Sequence, residues 1–270
     1  MGMSRDNATP GLLTAARTVL REIADILQNY PKAVIVGGSV PYLIIPQEME
    51  PHEGTVDIDI VFDLDQPSAD DVYTLHEIFE RRLFQQDPKK PFRYAKGVQV
   101  EAENYQVVVE LMAGGDPPPS GLRRIEAEDV FVTVIKGLEV ALDAPVEVQF
   151  GDDPTRRVSV ASLPAFFAMK AMALQRREER KKAKDAYDIV YCLRNYPGGV
   201  DTMAQEFCDA ISNPIVASGV ELLRRLFAET DSVGPVAYGR QADNGEIAAL
   251  MAREAFERVD EFLRNLDRRL

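Results

Sequence analysis

The residues best suited to chemistry are acids set inside apolar strands. Asp57 and Asp59 alternate with Val56, Ile58, Ile60 and Phe62. In an extended chain, residues two apart point to the same side. The two carboxylates would therefore share one face while the apolar side chains fill the other. Asp is depleted in strands, and like charges side by side repel, more so where water is excluded. A divalent cation is the natural compensation. The competing reading is an exposed edge strand that uses acids to block aggregation. Glu110 repeats the anomaly, after Val107-Val108-Val109 and before Leu111-Met112. If its strand lies beside the first, the three carboxylates can hold two Mg²⁺ (or Mn²⁺) ions. Two such ions about 3.5–4 Å apart clamp the attacking and leaving oxygens of a phosphoryl or nucleotidyl transfer.

Two further features point towards phosphate. Gly37-Gly38-Ser39 follows the short apolar strand 33–36 and precedes a helical stretch, Val40 to Ile45. It is neither a Walker A loop nor a dinucleotide fingerprint, since GK[ST] and GxGxxG are both absent. The glycines still allow a phosphate close to the backbone, and a helix N-terminus favours an anion. The second feature is basic. Arg176 to Lys184 holds six basic and two acidic residues. On a continuous helix Lys170, Arg177 and Lys184 form one stripe, because each step of seven turns the position by only about 20°. Lys170 lies among Phe166, Phe167, Met169, Met172 and Leu174 and needs an anionic partner, for which a triphosphate would serve. A solvated helix face is the plainer reading of the basic run.

These residues require elements to position them. Hydrophobic spacing predicts a helix over 10–29 started by Thr9-Pro10, and strands at 33–36 and 56–63. It also predicts a helix over 69–85, a strand at 106–112 and two or three strand-like pieces over 128–150. Beyond Gly151-Asp152-Asp153-Pro154 the pattern is helical over 162–194, 201–229 and 244–268, with a polar, glycine-containing loop at 231–245. The expected class is α+β, with a mixed-sheet core in 1–155 and a helical domain in 156–270 that completes the active site.

Charge narrows the functions. The chain of 270 residues carries 31 basic and 44 acidic residues, net −13. That argues against non-specific coating of DNA, which needs a dense basic face. Nine of the acids fall between Gln47 and Asp71, with no Lys or Arg among them. Glu48, Glu50, Glu53, Asp70 and Asp71 read as a solvated acidic loop. With two Cys and two His, neither a zinc site at ligand spacing nor a disulfide scaffold is available. His52 reads as an incidental loop residue and His76 as structural. Cys192 and Cys208 read as buried or half-buried thiols, and Tyr187 and Tyr191 as a packing pair. Two cysteines in a chain of this length point to a reduced, cytoplasmic setting, and no apolar run reaches membrane-spanning length.

Joined in order, these elements resemble a known family. Val36-Gly37-Gly38-Ser39, Asp57-Ile58-Asp59 and Glu110 are similar to the signature of polymerase-beta-like nucleotidyltransferases. Lys170, Arg177 and Lys184-Asp185-Ala186-Tyr187-Asp188 resemble the K…R…KDxxD segment of the AbiEii/AbiGii toxin nucleotidyltransferases. The resemblance implies a mixed sheet with flanking helices, then a mainly helical C-terminal region. It implies a nucleoside triphosphate held by Gly37, Gly38, Ser39, Lys170, Arg177 and Lys184. Metal would be bound by Asp57, Asp59 and Glu110, and Asp185 would orient Lys170 or the acceptor hydroxyl. It further implies a type IV toxin with a separately encoded antitoxin, acting on RNA, particularly tRNA. The alternatives are a small-molecule nucleotidyltransferase of the antibiotic-modifying type and a non-catalytic nucleotide-binding interaction module.

Overall fold

The computed structural model describes residues 9–46, 52–65, 73–149, 156–242 and 244–270. The chain forms two compact units. One comprises Met1–Ile44 with Glu53–Ala161, and the other Ile45–His52 with Ser162–Leu270. The chain thus visits the second unit briefly between the glycine turn and the Asp-x-Asp strand. Glu48, Glu50, Asp70, Asp71, the first residues of the expected 69–85 helix and Gly151 to Pro154 lie outside the described residues.

The first unit runs α1 (Pro10–Leu27), β1 (Ala33–Val36), α2 (Ser39–Ile44), β2 (Asp57–Phe62) and α3 (Leu75–Arg81). It continues through β3 (Gln85–Asp87), β4 (Lys90–Val100), β5 (Glu103–Gly114), β6 (Leu122–Ile125), β7 (Val130–Ile135), β8 (Val146–Gln149) and β9 (Arg157–Val160). The strands form one mixed sheet in the order β3-β4-β5-β2-β1-β9-β8, with β7 pairing the end of β5 and β6 pairing β7. β2 has neighbours on both sides, β1 antiparallel and β5 parallel. The edge-strand reading of its acids is therefore excluded. Ile58, Ile60, Val61 and Phe62 are buried, while Asp57 and Asp59 are half-buried on the alternate face.

α1 begins as its sequence demands. Thr9 Oγ1 accepts the Leu12 N–H at 3.3 Å and Pro10 opens the helix. It packs its apolar stripe of Val19, Leu20, Ile23 and Leu27 into the core, and Lys96 Nζ of β4 reaches Glu22 Oε1 at 2.6 Å. α3 starts with a capping box of Thr74 and Glu77. Its first amide, Leu75 N–H, and the Tyr30 hydroxyl both donate to buried Glu128 at 2.8 Å.

The second unit is helical: α4 (Leu163–Arg176), α5 (Glu179–Asn195), α6 (Gly199–Ala210), α7 (Pro214–Leu226), α8 (Val233–Gly239) and α9 (Gly245–Asp267). Phe167 of α4, Phe207 of α6 and Phe262 of α9 meet edge to face, with centroids 4.7–6.1 Å apart. Two sequence expectations fail here: the 201–229 helix divides into α6 and α7, since Asn213 caps and Pro214 opens a new helix, and the 231–245 stretch is not all loop. The 231–245 loop contains α8, because Gly234 and Gly239 are close-packing positions. Gly234 lies against the Phe227 ring and Gly239 against Ala248. The apolar residues of α9 are only partly buried. Val259, Phe262 and Leu266 are inside, Ile247 and Leu250 are exposed, and Ala252 and Ala255 carry the buried face nearer the N-terminus. Among the described residues no helix is long and apolar enough to cross a membrane.

α4 and α7 approach so closely that a side-chain carbon added at Gly219 would lie 2.5 Å from Ala168 Cα. Relief requires the helices to separate. Gly219→Ala is expected to destabilise the chain by about 1–3 kcal/mol, the usual cost of overpacking, read as a lowered midpoint in urea denaturation.

Candidate active site

The first unit gathers its acids through strand register. β2 and β5 run parallel with Asp59 opposite Glu110 and Asp57 opposite Val108. Residues opposite one another project to the same face, so Asp57, Asp59 and Glu110 share it. The glycine turn closes on the same place. Val36, the last residue of β1, pairs with Asp59, and Gly37 follows with φ +70°. A Cβ at Gly37 would collide with Asp59 Oδ2, so both the backbone conformation and the contact require glycine. Gly38 and Ser39 are buried. Beside Ser39, between Arg17, Tyr42 and Thr55, lies a space of about 20 Å³, enough for about one water.

Glu110 departs from expectation. The Arg93 guanidinium, directly opposite on β4, is bonded to its carboxylate, and both side chains are largely buried. Among the described residues no three His, Cys, Asp or Glu side chains come together closely enough to hold a metal ion. Asp57 and Asp59 alone still suit a hard divalent cation. Mg²⁺ is commonly held by one or two carboxylates, the substrate phosphates completing its shell.

The second unit holds a buried charge network. Lys170 on α4 is 7% exposed, while Asp185 and Asp188 on α5 are fully buried. Lys170 Nζ donates to Asp185 Oδ1 at 2.9 Å and stands 2.6 Å from Asp188 Oδ2 as an ion pair. Arg177 Nη1 donates to both Asp185 oxygens, at 2.9 and 3.0 Å. Burial alone would lower the Lys170 pKa, but the two carboxylates more than offset it and raise it above the ordinary lysine value. Burial would likewise raise the Asp188 pKa. The Lys170 charge and a His52 hydrogen bond instead hold it well below the usual carboxylate range. Cys192 is buried with its thiol pKa pushed up by desolvation, and Cys208 is half-buried.

The network corrects two sequence readings. The expected 162–194 helix is interrupted. α4 ends at Arg176, and Arg177 and Glu178 adopt extended backbone angles before α5 begins at Glu179. Lys170, Arg177 and Lys184 therefore form no single stripe. The corner lets Arg177 turn back onto Asp185 beside Lys170, while Lys184 lies exposed on α5. Some of the basic run is spent internally, with Lys182 bonded to Glu179 and Arg177 to Asp185. The second correction concerns His52, which is buried rather than incidental. Its Nε2 lies 2.9 Å from Asp188 Oδ1, and its ring packs against Tyr187 and Tyr191 with centroids 5.3 and 4.7 Å away. Its flanks of Pro51, Glu53 and Gly54 carry no periodic apolar signal, so the sequence alone offered no sign of burial. Tyr187 and Tyr191 do pack on one another, at 5.9 Å. His76 is bonded to the Tyr94 hydroxyl at 3.0 Å, as a structural residue would be.

Removing Lys170 would take away the ammonium between two buried carboxylates and leave them Arg177 and His52 as partners. Lys170→Met is expected to cost about 3–5 kcal/mol at neutral pH. In the intact protein the depressed Asp188 pKa contributes stability above the ordinary Asp pKa, lost as pH falls through the folded value. In the variant, burial without the ammonium raises that pKa, so acidification protonates and relieves that acid. The deficit against the intact chain should shrink from pH 7 towards pH 4. Paired urea titrations at several pH values measure it, and a pH-independent deficit counts against the ionised network.

Over residues 54–265 the chain matches a family model described as nucleotidyl transferase AbiEii toxin, type IV TA system. No curated protein sequence matches significantly.

Proposed function

From the premise that the chain belongs to this AbiEii family of nucleotidyl transferase toxins, we propose that it transfers a nucleoside monophosphate from a nucleoside triphosphate to a hydroxyl of RNA, particularly tRNA. The observation that carries the reading is the Asp57–Asp59 pair facing a glycine turn, with Asp59 packed where a Gly37 side chain would be. In the reaction the acceptor oxygen bonds to the α-phosphorus. The bond from that phosphorus to the bridging oxygen of the β-phosphate breaks, and pyrophosphate leaves. The hydroxyl proton passes to Glu110, the third acid of the face.

Asp57 and Asp59 would hold Mg²⁺ (or Mn²⁺), which when bound offsets charge on the phosphates. The Gly37-Gly38-Ser39 turn supplies close backbone approach to the nucleotide. Lys170 supplies a fixed positive charge for its phosphates, and Arg177 assists. Asp185 positions both cations through the bonds already described. Lys184, exposed within the run from Arg176, contributes to phosphates of nucleotide or RNA. A separately encoded antitoxin would restrain the activity in the cell.

Transfer of α-labelled nucleotides to total cellular RNA in the presence of Mg²⁺ tests the proposal. Asp57→Ala and Asp59→Ala should each lower transfer at least ~100-fold, the scale lost with a catalytic electrostatic group, with unchanged circular dichroism. Undiminished transfer by the folded double variant would remove these acids from the site. Label on a small molecule, with none on RNA, would replace the acceptor.

A further inference from the structure

We infer that His52 is a positioning residue for this reaction, directing the Asp188 carboxylate so that the Lys170 ammonium is held at one place. The inference rests on the proposed role of Lys170 towards nucleotide phosphates. His52 Nε2, Asp188 and Lys170 form a continuous chain at 2.9 and 2.6 Å, and all three are buried. A carboxylate pivots about its Cβ–Cγ bond. Fixing Oδ1 by a ring N–H fixes where Oδ2 presents its charge. The donor is itself held, since the imidazole packs against the Tyr187 and Tyr191 rings. Asp185 and Arg177 brace Lys170 from the other side. The two carboxylates thus hold the ammonium from two directions, and loss of either lets a flexible four-carbon stem wander.

Chain connectivity adds a reason for this residue to be His52. It is the last residue of the excursion Ile45–His52 into the helical unit, and Asp57 follows five positions later.

Three variants separate positioning from bulk structure. His52→Phe keeps a ring between the tyrosines and removes the donor. His52→Gln restores an N–H near the position of Nε2. His52→Asn is polar and too short to reach. Two readouts are taken: steady-state transfer to RNA, and acetylation of Lys170 by acetic anhydride followed by mass spectrometry. His52→Phe should raise the KM for the triphosphate about tenfold with kcat changed less, as expected when a phosphate-binding charge is misplaced. Lys170 acetylation should rise at least threefold. His52→Gln should return both values towards those of the intact chain.

If His52→Phe does not fold, the His52→Asn and His52→Gln pair is read by the same criteria. Intact KM and intact Lys170 reactivity in a folded His52→Phe protein overturn the inference, as does a His52→Gln protein as defective as the phenylalanine variant. If Lys170 reactivity responds as described while the intact chain transfers no nucleotide, the positioning stands and the proposed function falls.

Discussion

Placing an ammonium group in a dry interior is expensive unless opposite charge is built around it, and the helical unit is organised by that demand. Lys170 stands among phenylalanines and alanines on α4, where solvent cannot stabilise it. Two carboxylates on α5 answer it. Each of these brings a further donor, Arg177 for Asp185 and His52 for Asp188. The requirement reaches into the backbone. The extended residues Arg177 and Glu178 interrupt the helix between α4 and α5 and turn Arg177 back, so that its Nη1 donates to both Asp185 oxygens. It also determines where His52 meets the helices, because His52 must be buried to reach Asp188. A network of this kind gives little net stability compared with an apolar core. What it supplies is a charge whose location is known in advance, the property a phosphate-binding group needs.

The sheet unit solves a different problem on β2. One strand must anchor the core and expose two like charges. Its central position, between β1 and β5, makes Ile58, Ile60 and Phe62 indispensable to packing and leaves Asp57 and Asp59 no choice of face. The turn after β1 then brings Gly37 against Asp59 with no side chain between them. Glu110 is drawn into the same face by register, but Arg93 opposite takes up its charge.

How far these features could be read in the amino-acid order depends on their range. The Asp57–Asp59 pair, its alternation with apolar residues and the cap at Thr9 are local patterns, and local rules recover them. The class, a mixed sheet with helices, follows from the same alternations. Register is a long-range property, so the juxtaposition of Asp59 and Glu110 could be stated only as a condition. The corner at Arg177 was hidden because nothing in Gln175-Arg176-Arg177-Glu178 breaks helical propensity; a tertiary ion pair does. α8 was hidden for the opposite reason, since Gly234 and Gly239 read as breakers although they serve close contacts. His52 lay in an acidic stretch whose composition describes solvent exposure, and one buried bond to a residue 136 positions away overrides it.

The excursion of the chain through the helical unit also governs how the protein can be divided. Cutting at the junction of sheet and helices, after Ala161, leaves a 162–270 fragment without Ile45 and His52. That fragment would bury Asp188 with its Lys170 contact but without the imidazole donor. Gene fusions, split reporters and domain exchanges among relatives would need to carry two separated stretches of sequence. Recombination at a single crossover, the simplest route by which modules are shuffled, would pair one parent's histidine with another parent's aspartate. The two units are therefore tied as a unit of inheritance as well as by the peptide bonds between them.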